Sequence, residues 1–322
     1  MRFGVDVEPF FRVNRGISSI TKVAQEIERL GFDSVWIPDH AVDPLTTLSF
    51  IAANTKKVKL GTCVLIPDHR HPVLLARGIS ALDNLSEGRY ILGLGAGEDE
   101  EMFGTPVDKP VARMLETVKI LKELWDHPKV VYHGDFWEID GYSLELKPLQ
   151  RPHPPIWFGA SGPRMLKIAA NYGDGCFGPQ LVPEDYKAWL DRLRGIAKGI
   201  GRNPNEITPA HLPFTSISED HDAAVEWLEP HAKWFLLWAS QPPSLVLRTL
   251  GYKEGWKSEE EIPREAIEKC FIVGTPEECV DKIRKFVRNG VRYSVFAIRA
   301  PDKDSYFHSL ELYAKEVVPH FK

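Results

Sequence analysis

Asp39 and His40 stand side by side directly after Val35-Trp36-Ile37-Pro38. An acid beside an imidazole can orient a bound ring or exchange a proton with it. Pro38 cannot donate to a sheet ladder, so a strand over Val35 to Ile37 must stop there and present the pair at its C-terminal edge. Glu98 closes the run Gly93-Leu94-Gly95-Ala96-Gly97-Glu98 and is followed by Asp99, Glu100 and Glu101. Crowded acids raise a carboxyl pKa, which suits a general acid or base. The run fails the dinucleotide fingerprint, because Glu98 stands where the third glycine belongs. Its glycines suit a tightly turning strand end, or one that lets a flat ring lie against backbone.

Gly159-Ala160-Ser161-Gly162-Pro163-Arg164 brings two glycines and a hydroxyl to the start of a helix. That reads as an ordinary loop with a serine cap or as an anion cradle. Its place after a strand, like His40 and Glu98, favours phosphate. Asp68-His69-Arg70-His71 holds an H-x-H pair without a third ligand, so it reads as a solvated polar loop and no metal site is expected.

The elements that must position these residues alternate along the chain. Strands are expected at Phe3 to Asp6, Val35 to Ile37, Val58 to Leu60, Tyr90 to Leu94, Ile156 to Phe158, Gly175 to Phe177, Ile207 to Pro213 and Tyr293 to Ile298. Helices are expected at Ile17 to Leu30, Pro44 to Ala53, Pro72 to Leu85, Pro110 to Trp125, Pro163 to Asn171, Pro183 to Lys198, Pro276 to Asn289 and Asp304 to Val318. Ser18 or Ser19 can cap the first of them, and Gly31 ends it. Val130 to Ile139 reads as a surface hairpin turning at Gly134-Asp135. Eight strands with intervening helices predict a (β/α)8 TIM barrel over 1–322, with a doubly wound sheet as the competitor.

Residues of about 216–270 exceed one βα unit and read as a helical insertion after the seventh strand. Within it Trp227, His231, Trp234 and Trp238 share one helix face. That stripe either docks the insertion on the barrel or forms an aromatic wall over its mouth.

Composition narrows the function. The 322 residues are 43% hydrophobic and 26% charged, with a net charge of −5, which excludes nucleic acid as the main partner. No apolar run is long enough for a bilayer, and the chain enters a strand without a signal-like segment, so a cytoplasmic location is expected. Cys63, Cys176, Cys270 and Cys279 have no CxxC spacing and read as reduced thiols.

The order of these motifs resembles the bacterial luciferase-like superfamily, above all its branch using the deazaflavin coenzyme F420, with methylenetetrahydromethanopterin reductases and phthiodiolone ketoreductases among its members. The likeness runs through Gly31 to His40, Leu60-Gly61-Thr62-Cys63-Val64, Gly88 to Glu98, Lys109 to Arg113, Gly159 to Leu166 and Val273 to Glu278. It implies an oxidoreductase that passes hydride between the deazaflavin and a carbonyl, alcohol or methylene-pterin-type substrate. The alternative is an FMN-dependent monooxygenase. By resemblance, Asp39 and His40 face the ring, and Glu98 exchanges a proton beside the reacting carbon. Cys63-Val64 matches a non-prolyl cis peptide supporting the ring, and Gly97 is counted with the cofactor-binding residues. Ala160-Ser161-Gly162 holds the phosphate, and Asp6 lies on the substrate side. A homodimer is also implied. The tryptophan-rich helix and Gly178-Pro179-Gln180-Leu181 carry little positive charge, so a sugar phosphate is disfavoured and a less charged substrate expected.

Overall fold

In a computed structural model, residues 1–14, 17, 19–97, 107–178, 182–239, 250–252 and 255–322 are described. Strands β1 (Arg2–Asp6), β2 (Ser34–Ile37), β3 (Lys59–Thr62), β4 (Tyr90–Leu94), β7 (Ile156–Gly159), β8 (Gly175–Phe177), β9 (Thr208–His211), β10 (Phe214–Ile217), β11 (Ile272–Gly274) and β12 (Tyr293–Ile298) form one sheet. Its order is β1-β2-β3-β4-β7-β8-β9-β12-β10-β11, with β1 also paired to β12, and this closes the (β/α)8 barrel. The doubly wound alternative is thereby excluded. β5 (Val130–His133) and β6 (Glu138–Tyr142) form the separate hairpin expected from sequence.

Two compact units make up the chain, and each holds part of the sheet. The first comprises 1–33, 178–192 and 209–322; the second comprises 34–177 and 193–208. In the second unit, β2 reads Ser-Val-Trp-Ile with every residue buried, as a parallel strand covered on both faces must be. Trp36 of β2 packs on Trp157 of β7 at 5.2 Å and edge-on to Phe177 of β8 at 5.3 Å. Gly61 and Gly175 make room for these rings, since a Cβ on either would collide with Trp36 or Trp157. The helices around this unit start on proline at α3 (Pro44–Asn54), α4 (Pro72–Leu85), α5 (Pro110–Asp126) and α6 (Pro163–Tyr172), where a missing N–H costs nothing.

In the first unit the seventh barrel strand is longer than expected and broken. β9 pairs with the start of β12, through Ala210 and Tyr293, and β10 pairs with its end, through Phe214 and Ala297. Pro213 lies at the break, where no ladder N–H is available. Ser216, taken as the start of the insertion, is therefore still strand. Helix α8 (His221–Ala239) follows, and the chain returns through β11, a three-residue strand that pairs in parallel with β10 and was not anticipated. The buried face of α8 is Ala224, Val225, Leu228, Ala232 and Leu236, packed with Ile262, Ile267 and Phe271. Trp234 and Trp238 are more than half exposed, so of the stripe it is His231, packed edge-on to Phe214 at 4.3 Å, that helps dock this helix and not these two tryptophans. A short helix α1 (Glu8–Asn14) directly after β1 was also unforeseen. The first expected helix begins at Ile20, and Ser19 makes no side-chain cap bond there; Ser18 lies outside the described residues.

Candidate active site

The site in the second unit is built where β2, β3, β4 and β7 end. Asp39 is buried, and its carboxylate is fully engaged. Arg70 grips it from both terminal nitrogens, with Nη2 donating to Oδ1 at 2.9 Å, and the Ile66 amide donates to Oδ2 at 3.1 Å. Nη2 of the same arginine also reaches Asp43 at 3.0 Å, and Nη1 reaches the Ile66 carbonyl at 3.1 Å. This is the bidentate geometry in which a guanidinium fixes a carboxylate rather than merely neutralising it. The Asp39 amide in turn donates to the Val64 carbonyl at 3.0 Å. Asp39 thus ties the end of β2 to the loop after β3, while its neighbour His40 is exposed.

In that loop the Cys63–Val64 peptide bond is cis, as the resemblance implied. Cys63 donates to the Ile37 carbonyl at 3.1 Å and Leu65 to the Gly93 carbonyl at 2.8 Å, so the loop bridges β2 and β4. The glycines in and directly after β4 serve this bridge. A Cβ on Gly93 would collide with the Thr62 carbonyl, and one on Gly95 with the Val64 side chain. Val64 also lies 3.2 Å from where a Gly159 Cβ would sit. The space expected to receive a flat ring at Gly93 and Gly95 is therefore taken by protein. Gly97 has φ +74°, which a side chain would resist, and rests near Ile66.

Gly162 is different. It precedes the first turn of α6, no side chain caps that turn, and a Cβ there would meet nothing within 4 Å. The residue leaves open space against unsatisfied backbone donors at a ten-residue helix's N-terminus, where an anion is favoured. Ser161 is exposed beside it, and Ala160 is buried, its amide donating to the Phe177 carbonyl at 3.1 Å.

Asp68-His69-Arg70-His71 is not the solvated loop the sequence suggested. Arg70 holds Asp39, and His71 accepts from the Val73 amide at 3.2 Å, capping α4. Asp68 is buried without a hydrogen-bond partner among the described residues, and burial pushes its carboxyl up to about 7 against the opposing charge of Arg113. Arg113 lies over the rings of Phe136 and Trp137 at 4.8 and 5.5 Å. The described residues hold no cluster able to ligate a metal. Glu98 and its acidic neighbours lie outside the described residues.

Asp6 belongs to the first unit, at the C-terminal end of β1. It accepts the Glu8 amide at 2.9 Å, and burial, reinforced by the Glu8 charge, pushes its carboxyl up to about 7. Arg299, directly after β12, is buried there too and was not singled out from sequence. The signal was available: it follows a barrel strand, where functional side chains collect.

Comparisons with known proteins show the family to which the chain belongs. The family model described as luciferase-like monooxygenase matches residues 1–293. A 5,10-methylenetetrahydromethanopterin reductase of Archaeoglobus fulgidus is 29% identical over 345 residues, covering 100% of both chains. A phthiodiolone/phenolphthiodiolone dimycocerosates ketoreductase of Mycobacterium bovis is 28% identical over 295 residues, covering 83% of this chain and 77% of its own. Among solved structures, the coenzyme F420 dependent tetrahydromethanopterin reductase from Methanopyrus kandleri aligns with TM-score 0.85 and 26% identity, covering 100% of this chain and 99% of that one.

Proposed function

Because the chain belongs to the luciferase-like monooxygenase family and the relatives described above are reductases, we propose that it is an oxidoreductase using coenzyme F420. Its substrate is a carbonyl, the corresponding alcohol, or a methylene-pterin-type compound. The observation that carries this reading is Gly162, whose missing side chain leaves room at an uncapped helix N-terminus for a phosphate. A deazaflavin with a phosphorylated side chain matches a phosphate cradle and a shaped strand end within one unit.

The residues fit such a group as follows. Ala160, Ser161 and the first turn of α6 would hold the phosphate, and Val64, packed into Gly95 and Gly159, would support the ring. When bound, the coenzyme supplies hydride transfer. Asp39 positions the loop from Cys63 to Ile66 through Arg70, leaving its exposed neighbour His40 to exchange a proton with the bound ring or substrate. Positioned proton transfer of this kind is worth about 10²–10⁴-fold in rate. Glu98 is assigned the second proton-transfer role by family likeness.

Equilibrium titration of the purified protein with coenzyme F420 and, separately, with FMN tests the reading. The deazaflavin should bind and FMN should not. Gly162→Ala should weaken coenzyme binding by about tenfold or more, roughly 1.4 kcal/mol, yet lower the melting temperature by no more than a few degrees, because no protein atom lies within 4 Å of the added Cβ and the only folding cost is a weaker N-cap. Tight FMN binding with reduced-flavin oxygen consumption, and no deazaflavin affinity, would make the chain a monooxygenase instead.

A further inference from the structure

Arg299 sits at the C-terminal end of β12, and 9% of its surface is exposed. Its Nη2 donates to Nε2 of His231 on α8 at 2.8 Å. Its Nε and Nη1 are buried and have no hydrogen-bond partner among the described residues. The hydroxyl of Tyr306 is likewise buried and unpartnered, within electrostatic reach of Arg299 and Asp6. Buried charges are normally paired and hydrogen-bonded, because stripping water from a guanidinium is costly.

Asp6 and Glu8 attract the guanidinium electrostatically, but no described residue accepts a hydrogen bond from its Nε or Nη1. His231 is neutral, since burial and the adjacent Arg299 charge push it down to about 3. Glu8 carries an ion pair with Arg12 at 3.5 Å. Asp6 takes its hydrogen bond from the Glu8 amide and holds its proton up to near neutral pH. The surround is aromatic: the guanidinium lies 5.0 Å over the Phe214 ring, which meets His231 edge-on at 4.3 Å.

We propose that Arg299 is a substrate-binding and specificity-determining residue, which donates from Nη1 to a carboxylate of the substrate while His231 holds the guanidinium in place through Nη2. Tyr306 donates to the same group. The substrate is then a carboxylate-bearing compound with a flat or apolar portion that lies against Phe214. This proposal departs from the expectation of a less charged substrate, which came from counting charges in the insertion and did not weigh the end of the last strand. The inference rests on the oxidoreductase reading for its purpose, but its binding test needs no coenzyme.

The probes are benzoate, acetate and the neutral benzamide, titrated calorimetrically into the purified full-length protein. Benzoate should bind saturably, and benzamide about tenfold or more weaker. Arg299→Met should lose benzoate by a similar factor while shifting its melting temperature by only a few degrees, because removing the desolvation cost of the buried charge offsets the loss of its His231 hydrogen bond and of its attraction to Asp6 and Glu8. Arg299→Lys should recover part of the affinity, and His231→Phe should lose part of it. Equal benzoate binding by wild type and Arg299→Met, or no saturable binding of either carboxylate to wild type, would overturn the proposal. Failure of coenzyme F420 to bind wild type while benzoate discriminates between these proteins would refute the coenzyme reading alone.

Discussion

Asp39 and His40 are adjacent in sequence, yet their surroundings assign them different work. Asp39 is buried and held by Arg70 and the Ile66 amide, whereas His40 is exposed. Removing one partner of a buried, hydrogen-bonded ion pair leaves the other uncompensated. Arg70→Met should therefore destabilise the protein by about 2–4 kcal/mol and weaken coenzyme binding as the loop at Cys63–Val64 loosens. His40→Ala should cost less than about 0.5 kcal/mol, as exposed substitutions do, and lower turnover by about 10²-fold or more. Denaturant melts and steady-state rates on both variants check the split. Equal stability losses would place both residues in the scaffold. Nothing in the sequence separates the two, because the partner that engages Asp39 lies 31 residues further along the chain.

The strand ends show why glycine is visible in a sequence while its purpose is not. Gly93, Gly95 and Gly162 look alike in the chain, but each missing side chain is used differently. The space at Gly93 is filled by the Thr62 carbonyl and that at Gly95 by Val64, whereas Gly162 faces open space. The alternation of strands and helices was legible because buried strands and proline-initiated helices are written into local sequence. The short strand β11 was not, since three residues between a helix and Pro276 carry no period. Val64 and Gly95 should be thermodynamically coupled. Gly95→Ala overpacks against Val64 and should cost about 1–3 kcal/mol. Val64→Ala should relieve much of that cost, so a double-mutant cycle of unfolding free energies should return a coupling of about 1 kcal/mol or more. Additive effects would mean that β4 and the loop after β3 adjust independently.

At the scale of the whole molecule, four buried groups with opposite protonation preferences make opposing contributions to the pH dependence of stability. Asp6 and Asp68 have carboxyls raised from 3.8 to about 7, so the folded state keeps protons that the unfolded chain releases. Their contribution is fully present below about pH 4 and is lost as pH rises toward 7. His211, stacked on Phe286 at 4.1 Å, and His231 are both pushed from 6.5 down to about 3 by burial. Their contribution is present above about pH 6.5 and is lost as pH falls, because the unfolded chain then binds protons that the folded state refuses. Between roughly pH 4.5 and 6.5 the two carboxyls and the two imidazoles pull in opposite directions, and their slopes cancel. Asp6→Asn removes one side of that balance. Relative to wild type, its stability should rise with pH across this window by at most about 1.4 kcal/mol per pH unit, the limit for one proton. His231→Gln should tilt the other way by a similar amount. Melting temperatures of the three proteins at pH 4.5, 5.5 and 6.5 measure this directly. Parallel profiles would show that Asp6 and His231 titrate in the folded protein as they do in water, and that their burial does not govern their protons.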